Sequence, residues 1–383
     1  MKPFIFNTTP SIRMGAGLLD ELGDIAKSVC GDRVLVVTDP GMMATGIVKR
    51  AVACLEKAGG RATVFSEVQA DPPEAVIHAA VAAAQGMSGV IGLGGGSSID
   101  VAKLAALLAT GTQSLSDVYG VGMTKGPRLP LIAVPTTAGT GSEVTPISIV
   151  TTEASEKMGV VSPMIIPDLA LLDPELTRDL PAAVTAATGV DAMVHAIEAY
   201  ASASPNNNPV SRALACEALL LMAPALERAV QVPHDMEARG DMLLGSLLAG
   251  QAFANSPVAA VHALAYPVGG HFKVPHGLSN ALVLPHVIRF NAVTAPDAYA
   301  RLGPIAFPEL GGLETAQAAA GFADALAALS ARCGLPSGLR AVGITADDVP
   351  LLARDAMNQT RLLVNNPRKV TEADARAIYT AAL

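Results

Sequence analysis

The run Gly89-Val90-Ile91-Gly92-Leu93-Gly94-Gly95-Gly96-Ser97-Ser98 decides how this chain is to be read. Gly89 to Leu93 is a short apolar strand that runs straight into three glycines and two serines, with a helix expected from near Ile99. Glycines at such a junction let the backbone approach a pyrophosphate, and the helix N-terminus offers unpaired N–H groups and the positive end of a dipole. A plain strand-to-helix turn is the other way to use these residues. The spacing is not the usual dinucleotide fingerprint, because counting from Gly92 puts Ser97 where the third glycine belongs. Gly15-Ala16-Gly17 lies too early, with no strong apolar strand before it, and carries little weight.

Outward from that turn the same grammar repeats. Val34 to Thr38 is an apolar strand closed by Asp39-Pro40-Gly41, and a helical stretch follows through Val48, Val52 and Leu55. Ala62 to Ser66 is a second strand, with a helix after Asp71-Pro72-Pro73, and Leu131 to Val134 is another. Strands alternating with helices imply parallel pairing through crossovers. Continuous apolar strands are what a sheet covered on both faces needs. After Pro181 the β-rich runs stop, and Ala/Leu-rich helical segments punctuated by proline continue to the end. The expected architecture is a dinucleotide-binding α/β domain over residues 1–180 and an all-helical domain over 181–383. Any active site is expected in the cleft between them.

Bulk composition narrows the function classes. With 383 residues, 51% hydrophobic and only 16% charged, the chain can build more than one core and is not disordered. A net charge of -8, no Lys/Arg-rich run and only 3% aromatic residues argue against nucleic-acid binding. Cys30, Cys54, Cys216 and Cys333 are scattered thiols that read as small hydrophobes of a reducing compartment. The mean hydropathy of +0.42 raises the membrane question. Met242 to Pro267 carries no formal charge, but Asn255-Ser256-Pro257 breaks it, so it reads as two buried helices and no membrane partner is expected. The opening residues carry no apolar stretch with a small-residue cleavage site, which points to the cytoplasm.

Three features carry the chemistry. Asp39 closes the first strand, where a carboxylate can accept from an adenosine ribose diol or simply form a turn before Pro40. Pro135-Thr136-Thr137-Ala138-Gly139-Thr140-Gly141-Ser142-Glu143 follows the strand at Leu131, and its hydroxyls can serve a phosphate or a nicotinamide ribose, or merely water. Asp191 and His195 are four apart in an apolar helical segment, so both lie on one face. An ionised carboxylate there needs compensation, and a divalent cation supplies it. His262, inside an apolar run, and His276, at a helix start after Pro275, complete a set of one carboxylate and three imidazoles. Such a set suits Fe²⁺ or Zn²⁺ and not Mg²⁺ or Ca²⁺. His78, His234 and His286 read as ordinary structural or surface residues.

Gly94 to Lys103, Pro135 to Thr145, Thr188 to Tyr200 and His262 to His276 together resemble the iron-containing (group III) alcohol dehydrogenases, in order and over nearly the whole chain. Phe6-Asn7 and Asn366-Pro367-Arg368 fit the same family. The resemblance implies a Rossmann-like α/β N-terminal domain with an all-helical C-terminal domain, akin to dehydroquinate synthase. It implies hydride transfer between NAD(H), less so NADP(H), and a small alcohol, aldehyde or ketone, in a homodimer or larger homo-oligomer. The family's metal ligands fall on Asp191, His195, His262 and His276, its pyrophosphate loop on Gly94, Gly95, Gly96 and Ser97, and its nicotinamide loop on Thr136, Thr137 and Thr140. Lys157 resembles a family lysine near the cofactor ribose, and Asp39 matches an acidic position tied to NAD preference. Two positions depart. Tyr266 stands where some members carry a further histidine, which leaves Tyr266 and His271 both as candidates for the proton relay, and Asp71-Pro72 replaces a common Asn-Pro. A metal- and NAD-dependent lyase of the same fold is the alternative function.

Overall fold

The computed structural model describes residues 2–152 and 157–383. Its strands are β1 (Ser11–Met14), β2 (Arg33–Val37), β3 (Arg61–Phe65), β4 (Gly89–Gly94), β5 (Gly120–Val121), β6 (Leu131–Pro135), β7 (Ile147–Thr151), β8 (Lys157–Val161) and β9 (Leu169–Leu172). Six of them form one wholly parallel sheet in the order β1-β9-β6-β4-β2-β3. Alternate side chains feed two cores, as a sheet covered on both faces requires. Val34, Val36, Ile91, Leu93, Ile132 and Val134 enter one, while Leu35, Val37, Val90 and Leu131 enter the other. Each of these residues is buried, which explains why the strands read as continuous apolar runs.

From β2 onward the strand order doubles back. β3 lies on one side of β2, and β4 returns to the other side before β6 and β9 continue outward. The carboxyl ends of β2 and β4 therefore flank the topological switch point, where open α/β sheets bind ligands. Asp39 lies two residues beyond the end of β2 and the triple glycine begins at the end of β4. The helix after β4 spans Gly96–Leu108, so it starts three residues earlier than the apolar pattern predicts and takes Gly96 and Ser97 into its first turn.

A second sheet, β5-β8-β7, contains an antiparallel pair that the repeating strand–helix grammar does not predict. β7 alternates buried and half-buried residues, a weaker signal than the apolar runs of the main sheet.

The chain divides into two compact units, Asn7–Arg178 and Asp179–Leu383, the latter joined by the residues up to Phe6. Those first residues, counted by sequence with the α/β domain, are tied to the helical unit by a two-way bond. The Ile5 N–H donates to Asn206 Oδ1 and the Asn206 amide donates to Ile5 O, each at 2.9 Å. From Ala182 onward every described regular element is helical, beginning with Ala182–Ala201, Pro209–Gln231 and Met236–Asn255. The uncharged Met242–Pro267 stretch is split between Met236–Asn255 and the next helix, Ala260–Phe272. Among the described residues no helix is long and apolar enough to cross a membrane.

Candidate active site

Two clusters of polar side chains stand out, one in each unit. In the α/β unit, Asp39 caps the short helix Pro40–Ala44 by accepting the Met42 N–H at 3.0 Å, and its second oxygen accepts from the Ser98 hydroxyl at 3.3 Å. Gly94 sits at φ +151°, where a side chain is strained, and a Cβ there would lie 2.7 Å from Ser98 Oγ and 3.2 Å from Asp39 Oδ2. A Cβ on Gly96 would lie 2.7 Å from Thr140 Cγ2, and one on Gly95 would lie 3.7 Å from Thr137. Asp39, Gly94, Gly95, Gly96, Thr137 and Thr140 are thus neighbours at the switch point. Gly95 and Gly96, half-buried at the start of the helix Gly96–Leu108, form the kind of turn that can cradle a pyrophosphate. Ser97 is half-buried in the helix's first turn. Thr136 differs from the others: it is buried, its N–H bonds to Gly94 O at 3.0 Å, and its hydroxyl faces Met42 Sδ at 3.5 Å. It ties the two loops together.

Lys157 opens β8, and its Nζ lies 2.7 Å from Asp71 Oδ1. Asp71 is one of two described non-glycine residues at positive φ, at +52°. The two positions singled out separately in the sequence therefore form one exposed ion pair. The Gly15-Ala16-Gly17 segment is structural, since the Gly17 N–H donates to Asp173 Oδ1 at 3.1 Å.

Beneath both loops lies a buried charge network. The wholly buried Lys103 donates to Ile147 O at 2.6 Å and to Thr145 Oγ1 at 3.1 Å, and lies 3.6 Å from Asp100. Burial pushes its ammonium down against the pull of Asp100 and Glu143. Burial also raises the Asp100 carboxyl, and raises that of Glu143 to about 7. Lys103 thereby fastens the helix that begins in the glycine turn to the end of the threonine loop.

In the helical unit, Asp191 and His195 lie one turn apart on Ala182–Ala201, both buried. Ligand atoms of Asp191, His195 and His262 lie within 4.8 Å of one another. The His195 ring stacks between Phe253 and His262, with centroids 4.3 Å and 4.8 Å away. His276 enters at the start of the helix His276–Ala292, its Nε2 3.7 Å from Asp191 Oδ1 and its ring 5.3 Å from that of His262. That approach depends on Gly277, where a Cβ would lie only 2.4 Å from Ala187 O. Burial works to raise the Asp191 carboxyl, but His195, His276, His262 and the Asn280 amide outweigh it and hold it below its usual value. A carboxylate that stays ionised in an apolar interior beside three imidazoles fits a divalent cation of the Fe²⁺ or Zn²⁺ kind.

Two residues that hold this cluster from behind were not among those the sequence singled out. Glu198 Oε2 lies 2.7 Å from His262 Nδ1, and Oε1 accepts the Val261 N–H at 2.6 Å. Burial tends to lower the His262 imidazole, but this hydrogen bond and the charges of Glu198 and Asp191 raise it overall. Asn280 donates from Nδ2 to Asp191 Oδ1 at 2.5 Å, and the same nitrogen lies 3.3 Å from both His262 Nε2 and His276 Nε2. Helical spacing carried their signal. Glu198 falls three residues after His195, and Asn280 four after His276, each on its ligand's face.

The two proton-relay positions part company. The Tyr266 ring packs 5.7 Å from that of His276. His271 instead pairs with Asp355, Nε2 to Oδ2 at 2.7 Å, on an exposed surface.

The chain thus carries a doubly wound sheet with a glycine-rich turn at its switch point, the arrangement of many nucleotide-binding enzymes, and a helical unit with a buried Asp/His cluster that could hold a metal ion. Family models described as iron-containing alcohol dehydrogenase and as the C-terminal part of the Fe-containing alcohol dehydrogenase family match residues 9–174 and 185–383. A long-chain-alcohol dehydrogenase of Geobacillus thermodenitrificans is 40% identical over 97% of this chain and 95% of its own. An NAD-dependent methanol dehydrogenase of Bacillus methanolicus is 35% identical over 99% of both chains. The crystal structure of a 1,3-propanediol oxidoreductase, 34% identical, superposes with a TM-score of 0.96 over 100% of both chains. The chain belongs to the iron-containing alcohol dehydrogenase family, and its function is that of an alcohol dehydrogenase.

Proposed function

We propose that the protein transfers a hydride between NAD(H) and a small alcohol or its aldehyde or ketone, and depends on Fe²⁺, with Zn²⁺ as the alternative. The observation that carries this reading is the buried convergence of Asp191, His195 and His262, with His276 at its edge. Those four residues would hold the cation, and Gly94, Gly95, Gly96, Ser97, Thr137 and Thr140 the dinucleotide. When bound, the cation supplies Lewis acidity toward a hydroxyl or carbonyl oxygen, and the nicotinamide supplies the hydride chemistry.

The chain's own residues do the placing. Asp191 brings the one negative charge of the ligand set, and the imidazoles bring neutral nitrogen donors. The cradle amides hold the pyrophosphate, while Asp39 accepts from the adenosine ribose and repels a 2′-phosphate, which underlies the preference for NAD over NADP. The methanol dehydrogenase relative, named NAD-dependent, supports that preference. Lys157, paired with Asp71, serves the ribose side of the cofactor. Of the two relay residues, Tyr266 is favoured because its ring lies beside His276, and His271 with Asp355 is the route from the surface. The relatives' names run from methanol to long-chain alcohols, so a panel spanning that range is the assay. The protein is proposed to work in the cytoplasm as a homodimer or larger homo-oligomer. Four free thiols support the reducing compartment.

His262→Ala and His276→Ala test the ligand assignment. Each should lose bound metal and turnover together. A variant keeping full metal content and activity would remove that residue from the set. Tyr266→Phe should lower kcat with metal content intact, and an unchanged kcat would shift the relay to His271.

A further inference from the structure

The geometry behind His262 assigns a task to a residue that does not itself reach the ligand cluster. Glu198 shares its helix with Asp191 and His195, and positions 191, 195 and 198 fall on one stripe of that helix. Its side chain is buried and both of its oxygens are used. The Val261 N–H can only donate, so Oε1 accepts; Oε2 lies 2.7 Å from His262 Nδ1. A carboxyl group is the stronger acid of such a pair and the imidazole the better holder of the proton, so the hydrogen of that bond sits on His262 Nδ1. On the other side of the ring the donor is again fixed. Asn280 Nδ2, 3.3 Å from His262 Nε2, also lies 2.5 Å from Asp191 Oδ1, and turning the amide over would set two acceptors against each other. With the hydrogen on Nδ1, the Nε2 of the neutral ring keeps its lone pair on the side of Asp191, 3.9 Å away, and can accept from Asn280, whose second hydrogen it shares with His276 Nε2 at the same distance.

We infer that Glu198 is a positioning residue. It locks His262 in the Nδ1–H tautomer and in one ring orientation, so that Nε2 alone faces the ligand cluster, and in doing so it sets the affinity for the divalent cation. Carboxylates behind metal-ligating histidines act in this way, and their loss costs about 10–100-fold in metal affinity. The inference rests on the proposed metal site. Glu198→Gln is the incisive variant, because an amide has one acceptor where two are needed. If its oxygen takes the Val261 N–H, its NH₂ confronts Nδ1 and drives the ring toward the Nε2–H tautomer, which blocks the donor atom. If its oxygen takes His262, its NH₂ meets the Val261 N–H.

The test has two arms. Chelator competition with Zn²⁺ on the full-length, metal-stripped protein should show affinity weakened about 10–100-fold in Glu198→Gln, with NADH binding unchanged as the control for folding. Wild-type affinity in a folded variant would overturn the role of Glu198. Failure of the wild type itself to bind Zn²⁺ would instead overturn the metal-site reading. The second arm needs no variant. In ¹⁵N-histidine-labelled, metal-free protein, His262 should show a protonated Nδ1. A bare Nδ1 would overturn the inference whether or not metal binds.

Discussion

Asp39 and Ser98, fifty-nine positions apart, meet at the switch point of the sheet, Oδ2 accepting from the Ser98 hydroxyl at 3.3 Å while Oδ1 caps the helix Pro40–Ala44. The carboxylate is held by its cap and aimed at the glycine turn. Asp39→Asn keeps a cap-competent side chain and removes only the charge, so thermal stability should hardly change. The ratio of kcat/KM for NADP over NAD should rise about tenfold, equivalent to roughly 1.4 kcal/mol of lost repulsion. An unchanged ratio would leave Asp39 as a helix cap alone.

At Gly277 the helix His276–Ala292 packs against the helix Ala182–Ala201 with no room for a side chain, beside the ligand cluster. Gly277→Ala places a Cβ 2.4 Å from the Ala187 carbonyl oxygen and 3.3 Å from Asp191 Cβ, so the backbone carrying His276 must move away from the Asp191 helix. Overpacking of this kind costs about 1–3 kcal/mol. Weaker Zn²⁺ binding should accompany the lower unfolding midpoint. Loss of stability with unaltered metal affinity would show that His276 tolerates the displacement.

Burial raises the Glu143 carboxyl from the ordinary 4.5 to about 7. Between those values the folded state holds a proton that the unfolded state has released, so the contribution of Glu143 to stability is fully present below about 4.5 and is lost as the pH rises through 7. The loss amounts to about 3 kcal/mol when complete. Glu143→Gln should flatten the decline between pH 5 and 7, measured by urea unfolding of variant and wild type side by side so that the histidines common to both cancel. Parallel profiles for the two proteins would place the titration elsewhere.

Much of this arrangement was legible in sequence, for identifiable reasons. Strands covered on both faces must be apolar throughout, so Val34–Val37 and Leu131–Val134 declared themselves, and the triple glycine marked the turn from strand to helix at the switch point. Asp191 and His195 showed as a pair because a helix repeats its face every four residues. Glu198 and Asn280 obey the same spacing, yet a single Glu or Asn has many structural uses, and only the partners across the fold, His262 and Asp191, reveal their work. The antiparallel pair β7–β8 escaped because half-buried alternation over five residues is a faint signal. The pairing of Lys157 with Asp71 escaped because it spans 86 positions with no local pattern to announce it.

The cysteines offer a simple check on the packing. Burial pushes the Cys30 thiol up to about 12 and that of Cys333 to about 11, and both are inaccessible. At pH 8 these two should resist iodoacetamide in the folded protein, while the half-buried Cys54 and Cys216 react first. Mass spectrometry of the alkylated peptides reads the order directly. Early labelling of Cys30 would contradict the core as described.

The most direct measurement of the central claim is NADH absorbance over a panel from methanol to long-chain alcohols, on protein stripped by chelator and reloaded with Fe²⁺ or Zn²⁺. Absorbance that appears only after metal is restored, and more with NAD than with NADP, is the predicted result. Turnover that survives stripping to zero metal, or silence across the panel with metal bound, would contradict it, and the latter would turn attention to the lyase alternative.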